Sequence, residues 1–405
     1  MPLQQTSGND TADAYGGGAA AVTNYIEDVF STWLVTPASS NTTYSVTNGV
    51  DVSGKGGMVW MKSRSSAGNN LLYDTVRGAS AGSNNALISN STSGQQTANF
   101  DYITGLSNGF TVNFATGGGQ LTNNGINYAS WTFRKQPKFF DVVTYTGTGS
   151  NRTIAHNLGS APGCIIVKRT DTTADWQVYH NGLTSAAYSI QLNSNAAQAS
   201  ATTVWNSTAP TSTVFSVGTD ATVNASGGTY VAYIFASNAG GFGLTGTDNV
   251  ISCGSFTTNG SGIGTVTLGW EPQWVLFKRS SGTASWEILD TMRGWTVSSG
   301  TDATLQPDLS YAETTTELGY PTSTGFSVNE FPSSTYIYIA IRRGPMKVPT
   351  DGTKVFLPSA VTDSTTVTTG FPVDMFFDAQ RTGNSSTVYS RFSILPWQCV
   401  TPPLR

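Results

Sequence analysis

Runs of five to eight apolar and aromatic residues alternate with Ser/Thr/Asn/Gly segments along most of the chain. The pattern is plainest at Gly269–Gly294, GWEPQWVLFKRSSGTASWEILDTMRG, where the runs Trp274–Lys278 and Trp286–Asp290 flank the polar segment Arg279–Ser285. Aromatic and β-branched runs around a Ser-Ser-Gly turn read as a β-hairpin with a longer loop. The phrase is written more than once. It occurs as GGMVWMKSRSSAGNNLLYDTVRG near residue 60, APGCIIVKRTDTTADWQVYH near 166 and GFPVDMFFDAQRTGNSSTVYSRF near 375.

Two further landmarks keep nearly the same period. The hairpin lysines Lys62, Lys168 and Lys278 are 106 and 110 residues apart. A later strand reads Gly109-Phe110-Thr111-Val112, Val214-Phe215-Ser216-Val217 and Gly325-Phe326-Ser327-Val328, and a closing strand begins at Tyr128, Tyr230 and Tyr336. The segment Tyr25–Leu34 has both helical and alternating spacing; its counterpart Phe139–Tyr145 is β-type, which predicts a strand. The expected organisation is an extended N-terminal docking arm over residues 1–25, then β-sandwich units at 26–138, 139–243 and 244–347. Residues 348–405 begin a fourth unit that lacks its later strands, and the expectation is that the natural chain continues beyond Arg405.

Units of this length with turn signals every few residues predict an all-β fold of tandem antiparallel β-sandwich domains. Joints such as RKQPK and RRGPMKVP are short and carry proline, which restricts the angle between neighbours and predicts a rod-like array.

Composition narrows the function. Of 405 residues, 11% are charged and 11% aromatic, with a net charge of -4, so no basic field attracts nucleic acid or an anionic membrane. Forty-four glycines suit many tight turns. The start of the chain has no basic n-region followed by an apolar run, and no stretch has the length of a membrane span. A soluble chain made in a cytoplasm is expected. Cys164, Cys253 and Cys399 show no paired spacing and read as small buried hydrophobes, not as a disulfide framework or metal site.

Candidate chemistry is sparse. His156 and His180 have no companions at metal-ligand or triad spacing, and His180 reads as a surface or edge residue after the strand WQVY. Glu287 and Asp290 are the best pair of carboxylates, but three residues apart on a strand they face opposite ways and cannot flank one glycosidic bond. Asp74…Arg77 and Asp290…Arg293 read as turn-stabilising pairs. Gly16–Gly18 and Gly117–Gly119 lack the Lys-Ser/Thr of a phosphate loop. Most tryptophans sit at strand positions and read as core; Trp270, in the turn Gly269-Trp270-Glu271-Pro272, is the candidate glycan contact because an exposed turn tryptophan can stack on a sugar. The expectation is a non-enzyme with no cofactor and no metal.

The phrases TFRKQPKFFDVVTYTGTGSNRTIAHNLG, DNVISCGSF, GWEPQWVLFKRSS, YIYIAIRRGPMK and GFPVDMFF, across about residues 24–390, resemble the tandem β-sandwich, lectin-like tail-fibre and minor virion structural proteins of marine and cyanobacterial tailed bacteriophages. The resemblance implies a virion component, most simply a tail fibre or appendage and a homotrimer. It implies docking on other virion proteins of the tail or capsid through the N-terminal arm, with distal units facing the host. It carries no catalytic residues. Two other expectations are a carbohydrate-binding array that recognises a host surface glycan and a capsid decoration protein.

Overall fold

A computed structural model describes residues 24–347 apart from 38–42, 79–84, 97–101, 115–120, 122–124, 298–299 and 330, together with strands at 375–379 and 390–394. Residues 1–23 of the docking arm and most of the partial fourth unit therefore lie outside the described residues, as do Gly16–Gly18, Gly117–Gly119 and Cys399. Within the fourth unit Met375–Ala379 and Ser390–Ile394 pair antiparallel, as the hairpin phrase predicts.

The fold is all-β and antiparallel, and the three full units share one plan. In the first unit the main sheet runs Phe30–Val35, Tyr128–Arg134, Gly57–Ser63, Asn70–Asp74 and Leu87–Ile88. In the second it runs Phe140–Thr146, Thr229–Ala236, Pro162–Arg169, Gln177–His180 and onward, and in the third Ile251–Thr257, Thr335–Arg342, Pro272–Arg279 and Trp286–Asp290. Even the register repeats: Trp60 pairs with Trp131, Ile166 with Tyr233 and Leu276 with Ile339. A smaller sheet built on the Gly-Phe strand covers one face, pairing with Thr43–Thr47, Arg152–Ala155 or Gly264–Thr267. At the landmark glycines a side chain has no room. A Cβ on Gly325 would stand 1.9 Å from the Val266 carbonyl oxygen, and one on Gly109 (φ +150°) equally close to that of Val46.

The tail of the predicted strand at Tyr25–Leu34 holds, since Phe30–Val35 is a strand, but Ile26–Asp28 is a 3₁₀ turn. The Glu27 carboxylate explains the difference. It accepts from the backbone N–H groups of Met346 and Lys347, while Asp28 pairs with the Lys347 ammonium, so this end is shaped by the far end of the third unit.

That contact points to the main correction. A rod of separate sandwiches predicts three separate cores, yet one apolar cluster contains Met58, Trp60 and Phe133 of the first unit, Ile166, Val178 and Phe235 of the second, and Trp274, Leu276 and Ile339 of the third. Phe133 meets Phe235 at 5.7 Å and Trp274 at 5.8 Å between ring centroids, both edge-on. The main sheets are therefore covered on both faces. In the first unit Val59, Met61, Leu71 and Tyr73 face the unit's own small sheet, and Met58, Trp60 and Leu72 face the shared centre. The three sandwiches close on one another; they do not extend in line.

Candidate functional site

Because the units are alike and share a centre, the residues that join them form an extended constellation among the described residues. The hairpin of each unit is clasped by a short extended segment of the preceding one. Ala174 N–H donates to the Thr92 carbonyl and Gln95 N–H to Thr170, which ties the first unit to the second at 2.8 and 2.7 Å. Ala284 N–H donates to Asn195 and Gln198 N–H to Ser280 at 3.0 and 2.9 Å, which ties the second to the third. The third returns to the first through Gly68 N–H to Ser310 and Glu313 N–H to Arg64, at 2.7 and 2.8 Å. Each clasp spans the same stretch of chain. One head-to-tail interface used three times thus closes a ring.

The recurring lysine sits inside this clasp. Lys168 is fully buried, and its Nζ donates to the carbonyls of Thr92, Arg169 and Ala174, one of them in the neighbouring unit. Lys278 repeats the bond across the interface, to Asn195, and Lys62 donates to Gly68, whose own N–H crosses to Ser310. Burial lowers each ammonium to about 8. Eight residues beyond the lysine, Trp176 Nε1 donates to Ile88 and Ser91, and Trp286 Nε1 to Gln191. The first unit has Asn70 at this place. Its Nδ2 reaches Gln306 and Leu309 of the third unit, but its buried Oδ1 has no partner among the described residues.

A second set of polar groups lies at the ends of the hairpins, at three matching places. Asp74 Oδ2 accepts from the hydroxyl of Tyr233 at 2.7 Å, and Asp290 Oδ2 from Trp131 Nε1 at 3.0 Å. His180 takes the third place, with Nε2 3.0 Å from the Tyr338 carbonyl. Gly182 N–H donates to His180 Nδ1, so Nε2 carries the proton of a neutral ring and is the donor to Tyr338. Burial pushes this imidazole down to about 4. His180 is therefore an interface residue, 2% exposed, and not the surface or edge residue that its place after WQVY suggests.

The two acid–base pairs behave as expected and do more. Asp74–Arg77 and Asp290–Arg293 are ion pairs at 2.6 Å, and each aspartate also accepts from the arginine's backbone N–H. Beyond the turns, they fix the acceptors that the neighbouring unit reaches. Arg293 also lies over the Trp131 ring, 5.5 Å from its centroid, and meets Glu313 at 3.1 Å. Glu313 in turn takes a two-pronged contact from Arg64 at 2.7 and 2.9 Å, and these two arginines hold its carboxyl below the ordinary range although burial opposes them.

Trp270 is not an exposed platform. It is 6% exposed, in the third unit's own core with Trp295, Leu318 and Phe326, and its Nε1 has no partner among the described residues. The strand Pro272–Arg279 starts two residues later and carries the indole inward. Trp60, Trp131, Trp176, Trp274 and Trp286 are buried as expected. Cys164 and Cys253 are free and buried, and burial raises both thiols. Among the described residues no group of three or more His, Cys, Asp or Glu could hold a metal ion, and no helix is long and apolar enough to cross a membrane.

Sequence reasoning did not foresee the clasps, although a signal existed. The runs MVWMK, CIIVK, WVLFK and YVAYIF are apolar at both odd and even positions. A strand with one face to water would alternate, so two-sided apolarity announces a sheet buried on both faces.

The family model described as Domain of unknown function (DUF7483) matches residues 27–345, which is close to the extent of the ring. No curated protein matches the chain.

Proposed function

The chain belongs to the DUF7483 family, and from that premise we propose that it is a structural protein of a tailed-bacteriophage virion, docked on the particle by its N-terminal arm. The observation that carries this reading is the ring. Three sandwiches locked by a repeated clasp make a stiff block whose polar groups are spent on holding the units together, which suits a part that bears load. The low charge of the chain and the phrase-level resemblance support the same reading. As an appendage the block would project at the particle surface, toward the host. Removing Met1–Thr23 tests the docking role: the truncated chain should fold but fail to enter particles, and incorporation at the wild-type level would refute it.

The closed ring also favours decoration of a capsid. A chain whose three similar units stand around one centre offers a neighbour the outline of a trimer, and such an outline fits a threefold position on a shell. Electron microscopy of particles labelled on this chain separates a tail position from a shell position. The glycan-binding reading has lost its candidate, since Trp270 is buried. A glycan array with the purified chain tests what is left of it.

A further inference from the structure

The hairpin loops of the second and third units start alike, with Lys168-Arg169 and Lys278-Arg279. The closing strands face them alike as well, Tyr230 opposite Arg169 and Tyr336 opposite Arg279. What the two arginines hold is different. Arg169 grips a carboxylate of its own loop, its Nε and Nη2 donating to the two oxygens of Asp171 at 3.0 Å each. That bond holds the Asp171 carboxyl below its ordinary range. Asp171 Oδ1 also accepts from Thr229 N–H at 3.1 Å. In the first unit the arginine comes one residue later. There Arg64 takes Glu313 in the same two-pronged way, across the seam where the third unit closes on the first.

In the third unit the arginine has no carboxylate. Ser281 stands where Asp171 does, and its Oγ takes over only one of the two tasks, accepting from Thr335 N–H at 3.0 Å. Ser334 stands in place of Gly228, and its Oγ accepts from Arg279 Nε at 2.7 Å. Ser334 is itself fixed, because its N–H donates to Thr258 Oγ1. The guanidinium lies against Gly282, where a Cβ would stand 2.6 Å from Cζ and displace it; the second unit has Thr172 at that place. The head of Arg279 is thus anchored through Nε, while Nη1 and Nη2 have no partner among the described residues. Arg279 and Ser334 are partly exposed and Ser281 is exposed, so this fork opens to solvent.

We propose that Arg279 is a binding site for a carboxylate supplied from outside the chain, and that its ligand is a carboxylate-bearing sugar of the hexuronate class. The fork of Nη1 and Nη2 matches the two oxygens of a carboxylate, and the second unit shows that a loop of this shape takes one. The hydroxyls of Ser281 and Ser334 act as acceptors toward Thr335 and Arg279, so each keeps its own proton to donate. Thr283 adds an exposed hydroxyl in the same loop. A sugar acid carries hydroxyls beside its carboxylate, so one ring offers partners to the fork and to the serines together. An aspartate or glutamate of a protein would fill the fork and leave these hydroxyls to water. Attraction by charge alone is too weak to select the ligand, because the chain as a whole carries -4. The site is separate from Trp270 and does not depend on where the chain sits in a particle.

Amide chemical shifts of the full chain test this, with the second unit as an internal control. Glucuronate, added up to about 50 mM, should move the amides of Gly282 and Thr335 along a saturating curve with a Kd of about 1–10 mM. Glucose should leave them in place, and the matching amides of Thr172 and Thr229 should not respond to either sugar. Arg279→Gln should abolish the shifts. Ser281→Asp copies Asp171 and gives the arginine a carboxylate of its own, so it should weaken glucuronate binding at least about tenfold. N-acetylaspartate methylamide, which offers a carboxylate without sugar hydroxyls, should bind more weakly than glucuronate. Equal or tighter binding of that amide would overturn the choice of a sugar. No saturation with glucuronate, an equal response in the second unit, or unchanged binding in either variant would overturn the site itself.

Discussion

Trp131 Nε1 donates to Asp290 Oδ2 at 3.0 Å, although 159 residues separate them in the chain. The bond joins the closing strand of the first unit to the hairpin of the third, with both groups buried. Trp131→Phe keeps an aromatic face under Arg293 and removes the donor, together with part of a buried ring whose loss adds a cavity cost. A buried acceptor that loses one partner costs about 1–3 kcal/mol, and the urea midpoint should fall accordingly. An unchanged midpoint would mean that this bond contributes nothing to closing the ring.

Arg64 and Glu313 should be coupled across the same seam. Their side chains are 22% and 14% exposed, so solvent screens the pair only in part. A double-mutant cycle with Arg64→Ala and Glu313→Ala should give a coupling of about 1 kcal/mol, the upper end for exposed pairs. Additive losses would contradict the contact.

Lys168→Met should be among the most damaging single changes outside the apolar core. It takes the ammonium donor from the carbonyls of Thr92, Arg169 and Ala174, of which Thr92 keeps the Ala174 N–H. The expected loss is about 2–5 kcal/mol by chemical denaturation. A variant as stable as the wild type would show that those carbonyls find other donors.

His180 sets an acid limit. Its folded value of about 4 lies below the ordinary 6.5, so the unfolded chain binds the proton more readily and stability is lost as pH falls from 6.5 toward 4. At pH 5 the loss should be about 2 kcal/mol. His180→Gln should flatten this limb of the stability–pH curve, and an equal slope in both proteins would remove His180 as its source.

The number of chains in the particle-free protein separates two ways of being threefold. The resemblance implies a homotrimer, whereas the ring already sets three units about one centre. If the ring acts alone, light scattering gives the mass of one chain, 42.6 kDa. Three times that mass would favour the trimer.

Much of the fold was legible in the sequence. The recurring lysine and closing-strand landmarks fall on matching strands of the three main sheets, and the hairpin phrase locates Trp274–Lys278 and Trp286–Asp290 inside the strands that form. Two readings failed for one reason. Trp270 and His180 were judged by their local neighbours, yet burial at these positions is decided by residues far along the chain, such as Leu318 for one and Tyr338 for the other. The clasps are made by backbone N–H and C=O groups, which every residue carries, so no side-chain pattern marks Thr92 or Asn195 as partners. The short joints were equally silent, because a proline-bearing linker restricts an angle without saying which angle.

The closed ring is the claim on which these expectations rest, and one distance tests it. Spin labels at exposed Ala67 and Tyr311, each next to a residue of the Gly68–Ser310 bond, report directly on the seam. A ring predicts one narrow distribution centred below about 20 Å, while an intervening domain of some hundred residues, with a radius of gyration of about 13 Å, would hold labels on a rod more than about 30 Å apart. A distribution centred at the longer value would contradict the account.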